Sequence, residues 1–204
     1  MIPNQNYRNE ILPFSIEGTR IRGRIVRLSN VYHNLLETKQ YPEIVANFIG
    51  ELATLTILLA DTIKYDGIFI LQTQSDGPIN ISVADITHTG LIRGYALYDK
   101  GKLDKISEHP SIPELLGSGR LAFTVDQGGS KERYQGIVAL EGNTLTECAQ
   151  NYFRQSEQIE TAIMITADPI SKKAAAILIQ KMPELNISPS PDDYLDKEQN
   201  YESW

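Results

Sequence analysis

Three arginines at alternate positions are the clearest candidates for binding chemistry in this chain. Arg20, Arg22 and Arg24 alternate with the apolar residues Ile21 and Ile25 along one segment. Because side chains alternate between the two faces of a strand, this spacing predicts that the three guanidinium groups share one face. We interpret it as an ordinary solvent-exposed strand face, with a site for an anion or an acidic partner as the alternative.

The other reactive residue types form no recognisable catalytic or metal-binding pattern. His33, His88 and His109 fall on different predicted elements and lack the i, i+4 spacing of a zinc-binding helix. Cys148 is the single cysteine, which argues against an intramolecular disulfide and a cysteine-rich metal site. We expect its thiol to be buried and unreactive. The sequence therefore predicts no catalytic residue, no metal ligand and no cofactor, and it favours a binding protein over an enzyme.

The glycine-containing motifs are typical of turns and close packing, and they do not indicate phosphate binding. Gly117-Ser118-Gly119 precedes a predicted strand, so it cannot present a helix N-terminus to a phosphate. Asp76-Gly77-Pro78 lies between two predicted strands and fits a turn. The sequence contains no P-loop and no dinucleotide-binding fingerprint.

Composition and charge narrow the classes of function further. The 204 residues are 41% hydrophobic, which is enough for a sizeable core. The net charge of −7 argues against a nucleic-acid partner, which requires a basic surface. The start of the chain lacks the basic and apolar regions of a secretory signal, and we find no uncharged apolar run of about 18 residues. We therefore expect a cytoplasmic protein without a membrane partner.

The residues that could do chemistry must be positioned by a mixture of strands and helices. A helix predicted from Pro42 to about Ile63 is apolar nearly all round, with Glu51 as its lone interior acid, so it should lie between two layers. Short turns between consecutive strands predict antiparallel pairing. Further helices are predicted at about 31–39 and 144–157, with a short helical turn at 113–116, and strands at 14–28, 68–74, 79–86, 91–98, 120–126, 134–140, 162–167 and 174–181.

The stretch from 132 to 161 carries the most specific motifs. It reads as a strand, a turn, and a helix whose Thr144 and Glu147 fit a capping box, in which Glu147 reaches back to the backbone N–H of Thr144. Its motifs are Arg133-Tyr134-Gln135-Gly136, Leu140-Glu141-Gly142 and Tyr152-Phe153-Arg154-Gln155-Ser156-Glu157-Gln158. These motifs resemble the signature of the bacterial redox-regulated heat-shock holdases, the thirty-three-kilodalton heat-shock protein family.

The resemblance extends over about residues 15–183 and implies both a fold and a function. It implies an α+β fold with mostly antiparallel sheets in a layered β/α/β arrangement around a central buried helix. It implies an ATP-independent chaperone, not an enzyme, that holds unfolding proteins under heat and oxidative stress. Unfolded or misfolded proteins are then the expected clients, the client-binding residues are unknown, and a second copy of the chain is a further candidate partner.

The resemblance also implies a zinc-binding redox switch that this sequence does not contain. In the family, four cysteines spaced Cys-x-Cys and Cys-x-x-Cys bind zinc when reduced and form disulfide bonds when oxidised. We expect those ligands to lie beyond Trp204, so residues 1–183 are interpreted as the N-terminal client-binding domain and 184–204 as the acidic start of a linker. The alternative is a small-ligand or anion-binding protein, or an enzyme, that uses the Arg20, Arg22 and Arg24 face.

Overall fold

The computed structural model describes residues 9–37, 39–128 and 133–183, which form three layers. The described strands are β1 (Glu10–Ser15), β2 (Ile21–Leu28), β3 (Ile68–Ser75), β4 (Ile79–Thr87), β5 (Ile92–Tyr98), β6 (Gly119–Asp126), β7 (Tyr134–Ala139), β8 (Glu160–Asp168) and β9 (Lys173–Lys181). The described α-helices are α1 (Asn30–Glu37), α2 (Glu43–Ala60), α3 (Lys100–Leu103), α4 (Ile112–Leu116) and α5 (Leu145–Tyr152), and a π-helical turn, Phe153–Glu157, follows α5.

The strands form two sheets in which every pair of neighbours is antiparallel. One sheet has four strands in the order β1-β2-β9-β8, and the other has five in the order β5-β4-β3-β6-β7. Strands β3, β4 and β5 pair consecutively, as the short turns between them predicted. The predicted α+β class with mostly antiparallel sheets is confirmed.

Helix α2 fills the space between the two sheets. It contacts β3, β4 and β5 of one sheet and β2, β8 and β9 of the other. Leu52 and Leu55 are fully buried, and the buried hydroxyls of Thr54 and Thr56 donate to backbone carbonyl groups one turn earlier. The helix therefore has no solvent-facing side over most of its length, which confirms the prediction of a central buried helix.

By length and composition alone, α2 would be long and apolar enough to cross a membrane. The helix is 78% buried inside the fold, where both sheets cover it. That burial is typical of the core helix of a layered domain and accounts for the hydropathy of α2 without a bilayer.

The remaining helices complete the middle layer. Helix α1 contacts β9 and β5, and α5 contacts β8. Tyr152, at the end of α5, stacks on Phe123 of the other sheet with ring centroids 4.1 Å apart. Helices α1 and α5 thus also contact both sheets.

Two local predictions were wrong. The single strand predicted at 14–28 is divided, because Gly18 adopts a φ of 71° and the hydroxyl of Thr19 donates to the carbonyl of Ile16, which closes a turn between β1 and β2.

In the capping box, Thr144 accepts the N–H of Glu147 as predicted. The Glu147 carboxylate, however, accepts the N–H of Asn143 at 2.6 Å, one residue before the predicted donor. Helix α3 was not predicted, and the predicted linker at 184–204 lies outside the described residues.

Candidate functional site

The predicted arginine face lies at one end of the four-stranded sheet, on the side that faces α2. Arg22 donates from Nε and Nη2 to Gln180 Oε1 on β9, and Arg24 Nε lies 2.5 Å from Asp61 at the C-terminus of α2. Burial and the neighbouring charge of Arg24 lower the pKa of Arg22. Arg20 lies in the turn before β2 begins. Arg22 therefore links β2 to β9 within the sheet, and Arg24 links the sheet to the end of α2. Their binding of an external anion stays a prediction.

The opposite, outer face of the same sheet carries an uninterrupted apolar surface. Directly paired residues of neighbouring strands share a face, and two successive rows across all four strands are apolar apart from one glycine. We call these side chains the apolar stripe: Leu12, Ile25, Ile177 and Met164 in one row, and Phe14, Ile179 and Ala162, with Gly23, in the next. With strands about 4.8 Å apart, the stripe runs for roughly 15 Å across the sheet.

Several large side chains of the apolar stripe are exposed next to one another. Met164 is 73% exposed, Leu12 is 44% exposed and Ile179 is 37% exposed. Phe14 lies over Gly23, where an added Cβ would come within 2.2 Å of its ring. The inner rows of the same strands are buried, as Val26 and Leu178 show. The four-stranded sheet is therefore apolar on both faces, although α2 covers only the inner one.

Charged pairs border the apolar stripe on two sides. In the row beyond Leu12 and Met164, Arg27 pairs with Glu10. In the row on the other side, Lys181 lies 3.4 Å from Glu160. These pairs place charge at the borders of the stripe, while its centre remains apolar.

The outer face of the five-stranded sheet is different, since polar residues interrupt every row on its central strands. Arg93 pairs with Asp85 at 3.0 Å, and Gln135 donates to Thr124 at 2.9 Å. The guanidinium of Arg120 donates to Gln74 in another row. The apolar residues of this face that are most exposed lie on its edge strands, β5 and β7, and on β4 beside β5: Ile81, Tyr95, Leu97 and Ile137.

A cleft of about 780 Å³ lies between α2, α5 and the segment before α4. Its lining includes the carboxylates of Glu43, Glu51, Glu108 and Asp168. Burial raises the pKa of Glu51, whose Oε1 accepts a hydrogen bond from Asn47. The cleft is acidic, and the three arginines are not among its described lining residues, so it does not combine with them into an anion site.

The single cysteine lies in the core, as predicted. Cys148 is fully buried in α5, and burial, together with the charge of Glu147, raises its pKa to about 11. A thiol with that pKa is protonated at neutral pH and therefore a poor nucleophile and metal ligand. Within residues 9–37, 39–128 and 133–183, no three His, Cys, Asp or Glu side chains are grouped so that they could hold a metal ion. The described residues thus do not fit the zinc that the resemblance implies for longer proteins.

The motifs that carried the resemblance meet in the fold. Tyr152 of the helical motif lies against Gly136 of the strand motif, where an added Cβ would come within 3.0 Å of the ring. The hydroxyl of Tyr152 donates to Glu157 at 2.6 Å, inside the π-helical turn. Gly77 and Gly117, from the two glycine-containing turn motifs, are also in close backbone contact. These motifs therefore serve packing between elements, and none of them lines the apolar stripe.

Comparison with known proteins identifies the class to which this layered α+β domain belongs. The profile of the family described as Hsp33 protein matches residues 9–203. A 33 kDa chaperonin from Nitrosococcus oceani is 41% identical over 178 residues, and one from Caulobacter vibrioides is 39% identical over 176 residues. One from Vibrio parahaemolyticus is 36% identical over 193 residues. The chain belongs to the Hsp33 protein family.

These matches cover most of this chain and a smaller share of each relative. The aligned regions include 87%, 82% and 94% of this chain, and 59%, 58% and 64% of the three relatives in the same order. The crystal structure of the 33 kDa chaperonin (heat shock protein 33 homolog) from Thermotoga maritima matches with a TM-score of 0.70 at 23% identity, covering 84% of this chain and 60% of that one. At that identity the structural likeness shows the fold alone.

Sequence reasoning missed the apolar stripe, although one signal for it was present. Strand β9 reads Lys-Ala-Ala-Ala-Ile-Leu-Ile-Gln-Lys, apolar at both parities, which is typical of a strand covered on both faces. Among the residues that the structure describes, helices cover its inner face, and no helix or strand covers its outer face. The apolar run on β9 could therefore have indicated that the outer face contacts something else.

Proposed function

We propose that this chain is a holdase chaperone domain whose apolar stripe binds apolar segments of unfolding proteins without ATP. The observation that carries the proposal is an exposed, uninterrupted apolar surface across four strands of a well-packed domain. Membership of the Hsp33 protein family and relatives named 33 kDa chaperonin support a chaperone role. The activity is binding alone, without an enzymatic step, nucleic acid or membrane.

The physical basis of binding is the burial of apolar area. Each apolar side chain of the stripe that a client covers contributes roughly 25 cal/mol per Å² removed from water. Such contacts are not directional, so they suit clients that share no sequence, and the unbranched thioether of Met164 adapts to different shapes. The stripe would bind the kind of apolar segment that folded proteins hide and unfolding proteins expose.

The resemblance implies redox regulation and zinc for longer proteins of the family, and these are considered separately from client binding. This chain has one cysteine, which is buried, so neither zinc nor disulfide switching is assigned to its residues. We expect its stripe to be active in the cytoplasm whether or not an oxidant is present. A second copy of the chain could also cover the stripe, in which case activity per molecule would fall as protein concentration rises.

The test is light scattering of a client enzyme as it unfolds on heating, without nucleotide. A Leu12→Gln and Met164→Gln double variant removes two exposed residues of the stripe. The matched control, Leu91→Gln with Ile170→Gln, changes two residues outside the stripe that are 71% and 78% exposed. We expect the stripe variant to need several-fold more protein for equal suppression, and the control to behave like the parent.

The remaining outcomes discriminate between the alternatives. Equal suppression by the two double variants would show that clients bind elsewhere. Suppression that requires peroxide would contradict constitutive activity. If the folded protein suppresses nothing, and phosphate or sulfate raises its melting temperature in a manner lost in Arg22→Gln, the anion-binding alternative is favoured.

A further inference from the structure

Three tyrosine rings surround the ammonium group of Lys39 at the free edge of the five-stranded sheet. Lys39 Nζ lies 4.8 Å from the ring centroid of Tyr95, 5.0 Å from that of Tyr41 and 5.7 Å from that of Tyr98. All three distances are within the range in which an aromatic face attracts a cation. The cluster is far in the topology from the apolar stripe, because β5 belongs to the other sheet.

The tyrosines are held by contacts that do not involve Lys39. The hydroxyl of Tyr41 accepts the backbone N–H of Ala96 at 3.2 Å, which fixes the loop before α2 against β5. Tyr41 and Tyr98 pack against the core, and their ring centroids are 6.2 Å apart at an angle of 56°. The pairing register of β4 and β5 shifts between Ile79 and Ile81, next to Tyr98, and such irregularities change the direction of nearby side chains. The walls are thus built by the fold.

Lys39 itself is held mainly by the rings. Among the residues that the structure describes, no carboxylate lies within ion-pair distance of its ammonium group. A lysine ammonium is strongly hydrated and its long side chain loses much rotamer freedom when it is fixed in one place. The attraction of three partly exposed rings therefore has to offset both costs, and Lys39 is a weakly held occupant.

We propose that Tyr41, Tyr95 and Tyr98 form an aromatic cage for an ammonium group, in which Lys39 is an internal occupant that an external ligand displaces. The ligand class is a quaternary ammonium or the ammonium of another polypeptide's lysine. A quaternary ammonium group is the cation for which aromatic cages are best suited. The internal lysine lowers the apparent affinity by the fraction of time for which it occupies the cage.

The experiment uses tetramethylammonium chloride as the probe and follows the ring signals of the tyrosines by NMR. Lys39→Met removes the internal cation and keeps an unbranched apolar stem. We expect Lys39→Met to bind the probe about fivefold or more tightly than the parent, because the competing occupant is gone. Adding Tyr95→Leu, at a residue that is 43% exposed, should abolish that gain, whereas Tyr95→Phe in the same background should keep it.

Sodium chloride at equal ionic strength is the control for general salt effects, and circular dichroism with thermal melting checks that each variant is folded. A second titration with Nα-acetyl-lysine amide distinguishes a lysine side chain from a small quaternary amine as the better ligand. If folded Lys39→Met shows no change in its tyrosine signals with either probe, or if the changes persist with Tyr95→Leu, the cage is not a ligand site. That result would leave the role of the apolar stripe untouched.

Discussion

The four-stranded and five-stranded sheets contact the same helix on their inner faces and differ in how polar residues are distributed on their outer faces. In the five-stranded sheet, hydrogen-bonded and ion-paired side chains such as Arg93 with Asp85 interrupt the rows on the central strands. In the four-stranded sheet, the charges lie at the borders and the two central rows are apolar.

The outer face of the four-stranded sheet departs from the usual pattern of a sheet with one covered face. A sheet with one covered face normally places polar residues on the other face, as the five-stranded sheet largely does. An exposed apolar surface lowers solubility and promotes association, so its presence on a well-packed domain supports the proposal that this surface contacts an apolar partner.

The largest expected effect concerns the element that both sheets share. Leu55→Ala or Leu52→Ala should lower the free energy of unfolding by about 2–5 kcal/mol, because each truncation leaves a cavity in a fully buried layer. Hydrogen exchange should show both sheets losing protection together. A loss confined to one sheet, or melting temperatures equal to that of the parent, would break the view that α2 couples the two sheets.

A smaller loss of stability is expected when a mid-strand glycine is replaced by alanine, and the loss should differ between the two sheets. In Gly23→Ala the added Cβ would meet the Phe14 ring and lie 2.6 Å from the carbonyl oxygen of Leu178, so we expect a loss of about 1–3 kcal/mol. In Gly94→Ala the nearest atom is a methyl group of Ile49 at 3.2 Å, which can move, and the lost flexibility of the unfolded chain offsets part of the strain. In urea denaturation, the free energy of unfolding should be lower for Gly23→Ala than for Gly94→Ala. The reverse order would contradict the packing described for the stripe.

The next prediction concerns the pH dependence of stability and Glu51, an acidic residue of α2. Burial raises the pKa of Glu51 above its ordinary 4.5, so the folded state binds a proton more tightly than the unfolded state. Stability should therefore fall as pH rises from about 4.5 through the raised pKa. Glu51→Gln lacks this titration and should be more stable than the parent at neutral pH, with the difference shrinking toward pH 4.5. A difference between the two proteins that is independent of pH, measured by urea denaturation, would contradict the burial of this carboxyl group.

The smallest change in stability is expected for a substitution that adds a charge to the apolar stripe. Met164→Lys alters an exposed side chain and should shift the free energy of unfolding by no more than about 0.5 kcal/mol. Fluorescence of a dye that binds apolar surfaces should fall in this variant, because a charge then interrupts one row of the stripe. Gln72→Lys, on the outer face of the other sheet, is the matched control and should leave dye binding unchanged. An equal fall in both variants would remove the distinction between the two faces.

The sequence predicted those parts of the fold that depend on local patterns. The all-round apolar segment that became α2, the turn residues around Asp76-Gly77-Pro78, and the Thr144 cap each determine structure within a few residues of themselves. The division between β1 and β2 was missed although the sequence carries a signal for it. The apolar positions are even before Gly18, at Phe14 and Ile16, and odd after it, at Ile21 and Ile25, so the alternation changes phase at the turn.

The candidate site was harder to predict because it is assembled from distant parts of the chain. Leu12 and Met164 become neighbours only through the registers of β1, β2, β9 and β8. Pairing between strands that are remote in sequence is not encoded in any local window. The same applies to the tyrosine cage. Tyr41 contacts β5, although α2, β3 and β4 lie between the two in the sequence.

The strand order of the four-stranded sheet also determines when its strands can pair during translation. Strand β2 must wait for β9, and Arg22 meets its partner Gln180 only after a further 158 positions have been synthesised. The five strands of the other sheet, by contrast, are contiguous in the sequence and are complete once Ala139 has emerged from the ribosome. At roughly 5–20 residues per second, one side of α2 is left uncovered for several seconds during translation. During that interval the nascent chain exposes the same kind of apolar surface that its finished form is proposed to bind.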